Sequence, residues 1–202
     1  MLEEGRRTGG EPDVKRRITE AAVKLFARKG FEATAVREIV EAAAVTKPTL
    51  YYYFGSKEGL GHAVVNEGRQ KMEDYLREGT AGAEGAFDKL VGFVDAHFRG
   101  CQADRELALF LYGVSFSPEE AALTLDVQSF REGARTVLDA ILEDAVRQGV
   151  VRDGIKEEAA LILMGIVNIH LMSYLKLGLE LSRDRAVRAV QLFLEGVAKD
   201  RG

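Results

Sequence analysis

Apolar residues recur every three or four positions through most of the chain, the spacing of an amphipathic α-helix. The first such pattern predicts a helix over Asp13–Lys29. A second helix begins at Thr34, whose hydroxyl we expect to act as the N-cap, and a third covers Lys47–Phe54 with Thr46 as its cap. Only about three residues separate the second and third helices, which predicts the sharp crossing of a helix-turn-helix unit.

The same period continues to the end of the chain. It predicts further helices over residues 57–78, 86–101, 105–114, 119–148, 158–176 and 184–199. Pro118 is expected to open the fourth of these and Ser56 to cap the first. No stretch alternates with the period of two that a strand requires. We therefore predict an all-α protein, with a disordered N-terminal arm at 1–12, a three-helix helix-turn-helix DNA-binding domain at 13–56 and a larger helical effector-binding and dimerisation domain at 57–202.

The third helix has an unusual surface composition. Leu50 and Phe54 are four residues apart and can face a core, whereas the remaining positions carry a cation, hydroxyls and three consecutive tyrosines. Lysine and hydroxyl groups can reach phosphates and base edges in a major groove, and aromatic rings can pack on sugars and thymine methyls. The alternative is that the tyrosines form a small local core, and we expect at least one of them to be partly buried.

The segment TAVREIVEAAAVTKPTLYYYFGSKEGL at residues 34–60 resembles the DNA-binding signature of the TetR family of transcriptional regulators, and the match extends back to about Val14. The resemblance implies DNA contacts from the third helix by Thr46, Lys47, Thr49, Tyr51 and Tyr52. It also implies phosphate contacts by Thr34 and Lys57, at the starts of the helices on either side. Ala44 stands where the family usually has Gly, and it would cost about 1 kcal/mol if this turn position needs a positive φ.

Charge is distributed unevenly along the 202 residues. Residues 1–60 carry 11 Lys and Arg against 9 Asp and Glu, a net charge of +2, whereas residues 61–202 carry −6, which gives −4 for the whole chain. A relatively basic N-terminal part suits contact with phosphates. A single cysteine excludes an internal disulfide framework, and the polar first residues do not resemble a signal peptide, so we expect a cytoplasmic protein.

Residues 159–175 are uncharged throughout, which is a borderline length for a membrane span. Asn168 and His170 within the run, and acidic residues at its start, argue against one. In a globular protein, a helix that is apolar all round is buried on all sides. We therefore expect no membrane partner. Because a chain of this size rarely covers a helix completely, we expect a second subunit to cover it, in a homodimer formed through helices at about 157–177 and 184–199. The family resemblance implies the same interface.

Aromatic and polar residues are interleaved in the C-terminal helices, a pattern that suits a small-molecule cavity. The candidate lining residues are Phe93, His97, Phe98, Cys101, Phe110, Tyr112, Phe130 and Asn168. Each of them could equally be a core residue. The family resemblance implies an effector pocket in this domain, and the aromatic content suggests a hydrophobic or flat effector.

His97 and Cys101 lie four residues apart, on one helical face. A metal site or a Cys–His nucleophile is conceivable, but two side chains complete neither. No HExxH, GxSxG or paired-carboxylate pattern stands out. We therefore predict no metal, no cofactor and no enzymatic activity.

These features favour a homodimeric transcriptional regulator, most simply a repressor that binds a palindromic operator and is released by a small hydrophobic or aromatic effector. The alternative is a helical protein that binds a hydrophobic ligand without sequence-selective DNA binding. Ala44 in the turn and the net negative charge are the best support for that alternative.

Overall fold

The computed structural model describes residues 11–116 and 125–197. All regular structure in these residues is helical, which confirms the predicted fold class. The helices are α1 Glu11–Lys29, α2 Val36–Ala42, α3 Lys47–Phe54, α4 Lys57–Thr80, α5 Ala86–Ala103, α6 Arg105–Ser115, α7 Val127–Arg147, α8 Lys156–Leu177 and α9 Arg183–Val197. They surround two apolar cores, one around α1–α3 and the first half of α4, the other around the second half of α4 with α5, α7, α8 and α9.

Helix α3 has the bounds that the sequence predicted, and most other helices differ from prediction by a few residues. Helix α1 begins at Glu11 rather than at Asp13, so Glu11 and Pro12 of the predicted disordered arm are helical. The rest of that arm, residues 1–10, lies outside the described residues.

Helix α7 starts later than the pattern indicated. Asp126 has a left-handed backbone with a φ of 50°, which a continuous helix does not contain, and the helix begins after it at Val127. Residues 117–124, including the Pro118 expected to open this helix, lie outside the described part of the chain.

Thr34 does not cap α2, contrary to the prediction. Its side chain is buried, and its hydroxyl donates a hydrogen bond of 2.7 Å to the Gly30 carbonyl. Ala35 is the N-cap residue, and the Glu38 carboxylate accepts a hydrogen bond of 2.9 Å from the Ala35 N–H. Thr34 therefore stabilises the loop after α1, while a carboxylate within α2 meets one of the free N–H groups at its start.

The N-terminal helices close on a small apolar core. Phe26, Phe31, Ile39 and Leu50 are each at most 5% exposed. The Phe26 and Phe31 rings meet edge to face, with centroids 5.1 Å apart. Because Leu50 fixes α3 to this core by its inner side, the opposite side of α3 faces solvent.

This core does not end at the predicted domain boundary after residue 56. Phe110 of α6 packs against Phe26, with ring centroids 5.1 Å apart. The same buried cluster includes Leu107, Leu111 and Val114 of α6. Helix α6 therefore belongs to the core of the helix-turn-helix unit although the sequence assigned it to the other domain.

Helices α4 and α5 approach closely where two glycines face each other. A Cβ on Gly92 would lie 1.9 Å from the carbonyl oxygen of Gly79, so only glycine allows this crossing. The contact holds the C-terminal end of α4 against the second core. That core includes the fully buried residues Leu90, Val94, Leu138, Leu142, Leu163 and Val167.

Helix α8 is buried on one side only within the chain. Its other side carries Leu161, Ile162, Ile169 and Leu177, which are between 47% and 82% exposed. By length and composition the helix could cross a membrane, which is weak evidence since helices of soluble cores pass the same criterion. A single chain therefore does not bury α8 on all sides, and one apolar side of this helix remains exposed to solvent.

The turn between α2 and α3 contains a strained alanine. Ala44 has a φ of 51°, in the left-handed region. Its N–H bonds to the Glu41 carbonyl at 3.2 Å, and the Val45 N–H bonds to the Val40 carbonyl at 3.0 Å, the hydrogen-bond pattern of a Schellman helix end. This position does need the positive φ that glycine adopts more easily, and the alanine costs about 1 kcal/mol.

Replacing Ala44 by glycine is expected to raise the free energy of unfolding by about 1 kcal/mol, because glycine has no left-handed penalty. Urea denaturation measures the change. The matched control is Ala42→Gly, at an exposed right-handed position in the last turn of α2. It should lower the free energy of unfolding by about 1 kcal/mol, and the same sign for both variants would contradict the strain at Ala44.

Candidate functional site

Helix α3 projects its polar side away from the core. Lys47 is exposed, and Tyr51 and Tyr52 are 46% and 76% exposed, whereas Leu50 is fully buried. Tyr53 packs against the N-terminal core, so one of the three tyrosines is partly buried, as predicted. The outer side of α3 thus presents a cation and two phenol rings to solvent.

Thr46 and Thr49 organise the start of α3. Thr46 caps the helix as predicted, since its Oγ1 accepts a hydrogen bond of 3.3 Å from the Thr49 N–H. The two hydroxyls also bond to each other at 2.8 Å, which leaves one hydroxyl proton free for an outside acceptor. The first turn of α3 therefore offers hydroxyl groups and the Lys47 ammonium at the same exposed end of the helix.

Lys57 is placed differently from the expected phosphate contact. Its ammonium donates to the carbonyls of Phe31, Glu32 and Thr34 at 3.1, 3.4 and 3.3 Å, and it lies 4.5 Å from the centroid of the Phe31 ring. All three N–H groups of the ammonium thus have acceptors within the protein. Together with the buried Thr34, Lys57 holds the loop before α2 against the start of α4, and both border one shallow depression beside Tyr51.

A cavity of about 780 Å³ lies between α4, α5, α6, α7 and α8. Its walls include Met72 and Tyr75 of α4, Ala108 of α6 and Leu171 of α8. The volume is within the range of about 300–1,000 Å³ typical of small-molecule sites. Since α4 and α6 also pack into the N-terminal core, the same two helices contact both the cavity and the helix-turn-helix unit.

Most of the predicted lining residues do line this cavity. They are His97, Cys101, Tyr112, Phe130 and Asn168. The prediction was wrong for Phe93 and Phe98, which are buried in the second core, and for Phe110, which is buried in the N-terminal core. Met72 and Tyr75 also line the cavity but were not predicted to do so. Their position on the apolar side of α4 could have indicated it.

Hydrogen-bonding side chains interrupt the apolar wall. His97 is 6% exposed, its Nδ1 lies 2.8 Å from the Phe93 carbonyl oxygen, and burial lowers its pKa, which favours the neutral imidazole. Tyr112 donates its hydroxyl to Oδ1 of Asn168 at 2.9 Å, and burial raises the pKa of this phenol. These groups are polar but uncharged at neutral pH.

Cys101 does not have the environment of a nucleophile. Burial raises the pKa of its thiol to about 11, so the reactive thiolate is scarce at neutral pH. Within residues 11–116 and 125–197, no group of three or more His, Cys, Asp or Glu side chains is placed to hold a metal ion. His97 and Cys101 are accounted for as parts of the cavity wall.

A family model for bacterial regulatory proteins of the tetR family matches residues 18–64, the stretch that contains most of α1, all of α2 and α3, and the turn at Ala44. Residues 18–64 therefore form a DNA-binding domain of the tetR family. The regulator binds DNA through its helix-turn-helix unit, and the alternative of a ligand-binding protein without sequence-selective DNA binding is not favoured. The related proteins are transcriptional regulators rather than enzymes.

Similarity to individual proteins extends beyond the helix-turn-helix unit. The regulator is 25% identical over 138 residues to the fatty acid metabolism regulator protein of Bacillus subtilis, which covers 68% of this chain and 71% of the relative. A tetR-family regulatory protein from Rhodococcus RHA1 has a crystal structure with a TM-score of 0.75 at 27% identity, over 92% of this chain and 97% of that one. FadR from Bacillus subtilis, solved in complex with stearoyl-CoA, has a TM-score of 0.78 at 21% identity over 90% and 98% of the two chains, a likeness of fold alone.

The two lysines near α3 should give opposite results when each is replaced by methionine. Lys47→Met is expected to leave stability unchanged and to make the slope of log K for DNA against log salt shallower by about 0.9, the loss of one phosphate contact. Lys57→Met is expected to lower the free energy of unfolding by about 1–3 kcal/mol, because three carbonyls lose a charged donor. Fluorescence anisotropy at several salt concentrations and urea denaturation measure the two effects. Full stability of Lys57→Met would contradict the structural role of this ammonium.

Proposed function

We propose that the regulator is a homodimeric repressor that binds a palindromic operator in the cytoplasm and is released when an apolar effector enters the cavity. The observation that carries the proposal is the position of α6, whose residues line the cavity on one side and pack into the core of the helix-turn-helix unit on the other. An effector in the cavity therefore contacts the same helix that supports α1.

The exposed side of α3 is proposed to read the operator. Lys47 and the free hydroxyl of the Thr46–Thr49 pair would contact phosphates or base edges, and the Tyr51 and Tyr52 rings would pack on sugars and thymine methyls. This assignment is supported by the exposure of these side chains around a helix that Leu50 anchors. Lys57 and Thr34 would act indirectly, by holding the loop that precedes α2.

The second subunit is proposed to cover α8 and α9. The support is the exposed apolar row on α8, together with Leu192 of α9, which is 63% exposed. Pairing of both helices with their symmetry mates would give an isologous four-helix interface. The two α3 helices would then be related by a twofold axis, which matches a palindromic operator.

The effector is proposed to be a small molecule with a long apolar chain, and no cofactor or metal is needed. The cavity volume and its largely apolar walls support this class. So do two related proteins, since one is a fatty acid metabolism regulator and another was solved with stearoyl-CoA. In one arrangement of α4 and α6 the two α3 helices would have the spacing of the operator, and in another they would not. The effector releases the DNA if it binds more tightly to the second arrangement than to the first.

Selection of bound duplexes from a random DNA pool at a stated near-physiological salt concentration tests the DNA-binding part. Enrichment of one inverted repeat, with half-sites about one helical turn apart, is the expected result. Binding of this operator should then weaken when a long-chain alcohol or acyl compound is added. If the folded, dimeric protein enriches no sequence, the repressor assignment fails.

Substitutions on α8 and α3 should separate dimerisation from DNA reading. Ile169→Glu places a charge in the proposed interface and is expected to yield monomers and to abolish operator binding, because desolvating an unpaired carboxylate costs several kcal/mol. Tyr52→Glu adds the same charge at an exposed position of α3 and should abolish operator binding while the dimer persists. Sedimentation velocity and anisotropy measure both properties, and a dimeric Ile169→Glu variant would refute the proposed interface.

A further inference from the structure

His97 presents an unused hydrogen-bond acceptor to the cavity. Its Nδ1 faces the Phe93 carbonyl oxygen at 2.8 Å, and a carbonyl can only accept, so Nδ1 carries the proton of the neutral imidazole. The other nitrogen, Nε2, then holds a lone pair. It makes no hydrogen bond to any described residue, although His97 is only 6% exposed and lines the cavity.

Asn168 supplies the complementary donor from α8. Its Oδ1 accepts the hydroxyl proton of Tyr112. Its amide N–H groups make no hydrogen bond to a described residue and are free to donate. The phenol oxygen of Tyr112 also keeps a lone pair. The wall between α5, α6 and α8 therefore carries two acceptors and a donor, and the apolar side chains of the rest of the cavity offer them no hydrogen-bond partner.

Among the described residues, the formal charges that line the cavity belong to exposed or half-exposed side chains. The charged side chains around it are Lys71, Asp104, Arg131, Glu132 and Arg135, all of them half-exposed or exposed. Lys71 is paired with Glu67 and with Asp104, and Arg135 is paired with Asp139. Among the described residues, the enclosed wall around His97 thus has no fixed cation to neutralise an anionic group.

We propose that the effector carries a neutral head group with a hydroxyl or N–H donor, and that His97 Nε2 accepts this proton and so determines specificity. The inference rests on the proposed function and narrows the effector class. The effector is then an apolar chain that carries such a donor at its end or along its length. An ether or hydrocarbon of the same length leaves Nε2 buried without a partner, and a carboxylate or phosphate brings a second acceptor against it.

The test compares 1-decanol with its methyl ether by isothermal titration calorimetry on the full-length protein. The two compounds share the apolar chain and the oxygen, and only the alcohol has a donor. The alcohol is expected to bind about tenfold or more tightly, since one hydrogen bond to a buried acceptor accounts for a factor of this size. Decanoate should bind less tightly than the alcohol.

A pair of histidine variants assigns the effect to one residue. His97→Phe keeps a ring but removes Nε2. This variant should bind the alcohol and the ether about equally, because it loses affinity for the alcohol and keeps its affinity for the ether. His170→Phe is the control, because His170 also bonds its Nδ1 to the carbonyl four residues earlier, at 2.7 Å, but does not line the cavity. This variant should keep the wild-type preference.

The outcomes separate this inference from the proposed function. Three results would each overturn the role of His97 and leave the proposed function untouched. They are equal affinity of the wild-type protein for alcohol and ether, tighter binding of decanoate than of the alcohol, and an unchanged preference for the alcohol in His97→Phe. These comparisons need no DNA, and the first two need no variant. Absence of binding by both alcohol and ether would overturn the apolar-chain effector itself, and binding without release of the operator would overturn the repressor mechanism but leave the role of His97 intact.

Discussion

The Phe26 and Phe110 rings, 5.1 Å apart, join the helix-turn-helix unit to the wall of the cavity. Phe110 lies on α6, and the opposite side of this helix carries Ala108 and Tyr112 into the cavity. Because protein interiors are close-packed, α6 cannot move on its cavity side without displacing what it supports on the other. Helix α4 makes a second connection, since it begins beside α3 and ends at the close Gly79–Gly92 crossing with α5.

The surfaces left exposed by this packing differ in chemistry, and each matches a different partner. On α3 the outer side carries Lys47, Tyr51 and Tyr52, a combination of charge, hydroxyl and aromatic groups suited to a polyanion with flat bases. On α8 the outer side is aliphatic, which suits a second protein surface. The cavity combines apolar walls with a few uncharged polar groups, and such groups contribute more to selectivity than to affinity.

Local sequence was sufficient where a single helix or turn decides the outcome. The bounds of α3 follow from Thr46 as its cap and from Gly55 after its last residue, both of which act within one turn of the helix. The positive φ at Ala44 follows from the short connection between two helices that must cross sharply. The burial of Leu50 and the partial burial of Tyr53 follow from the helical period, which fixes which side of α3 is apolar.

By itself, then, the sequence determined the all-α class, the helix-turn-helix unit and the chemistry of the surface that α3 exposes. Only the tertiary structure decided which partners the other residues meet. Phe93 and Phe110 are as aromatic as Phe130, yet only Phe130 lines the cavity, because the helical period identifies an apolar side but not the element packed against it. Lys57 binds three carbonyls that lie 23 to 26 residues earlier in the chain, contacts that the sequence analysis did not predict. The role of α6 likewise depends on neighbours distant in sequence, which no local pattern encodes.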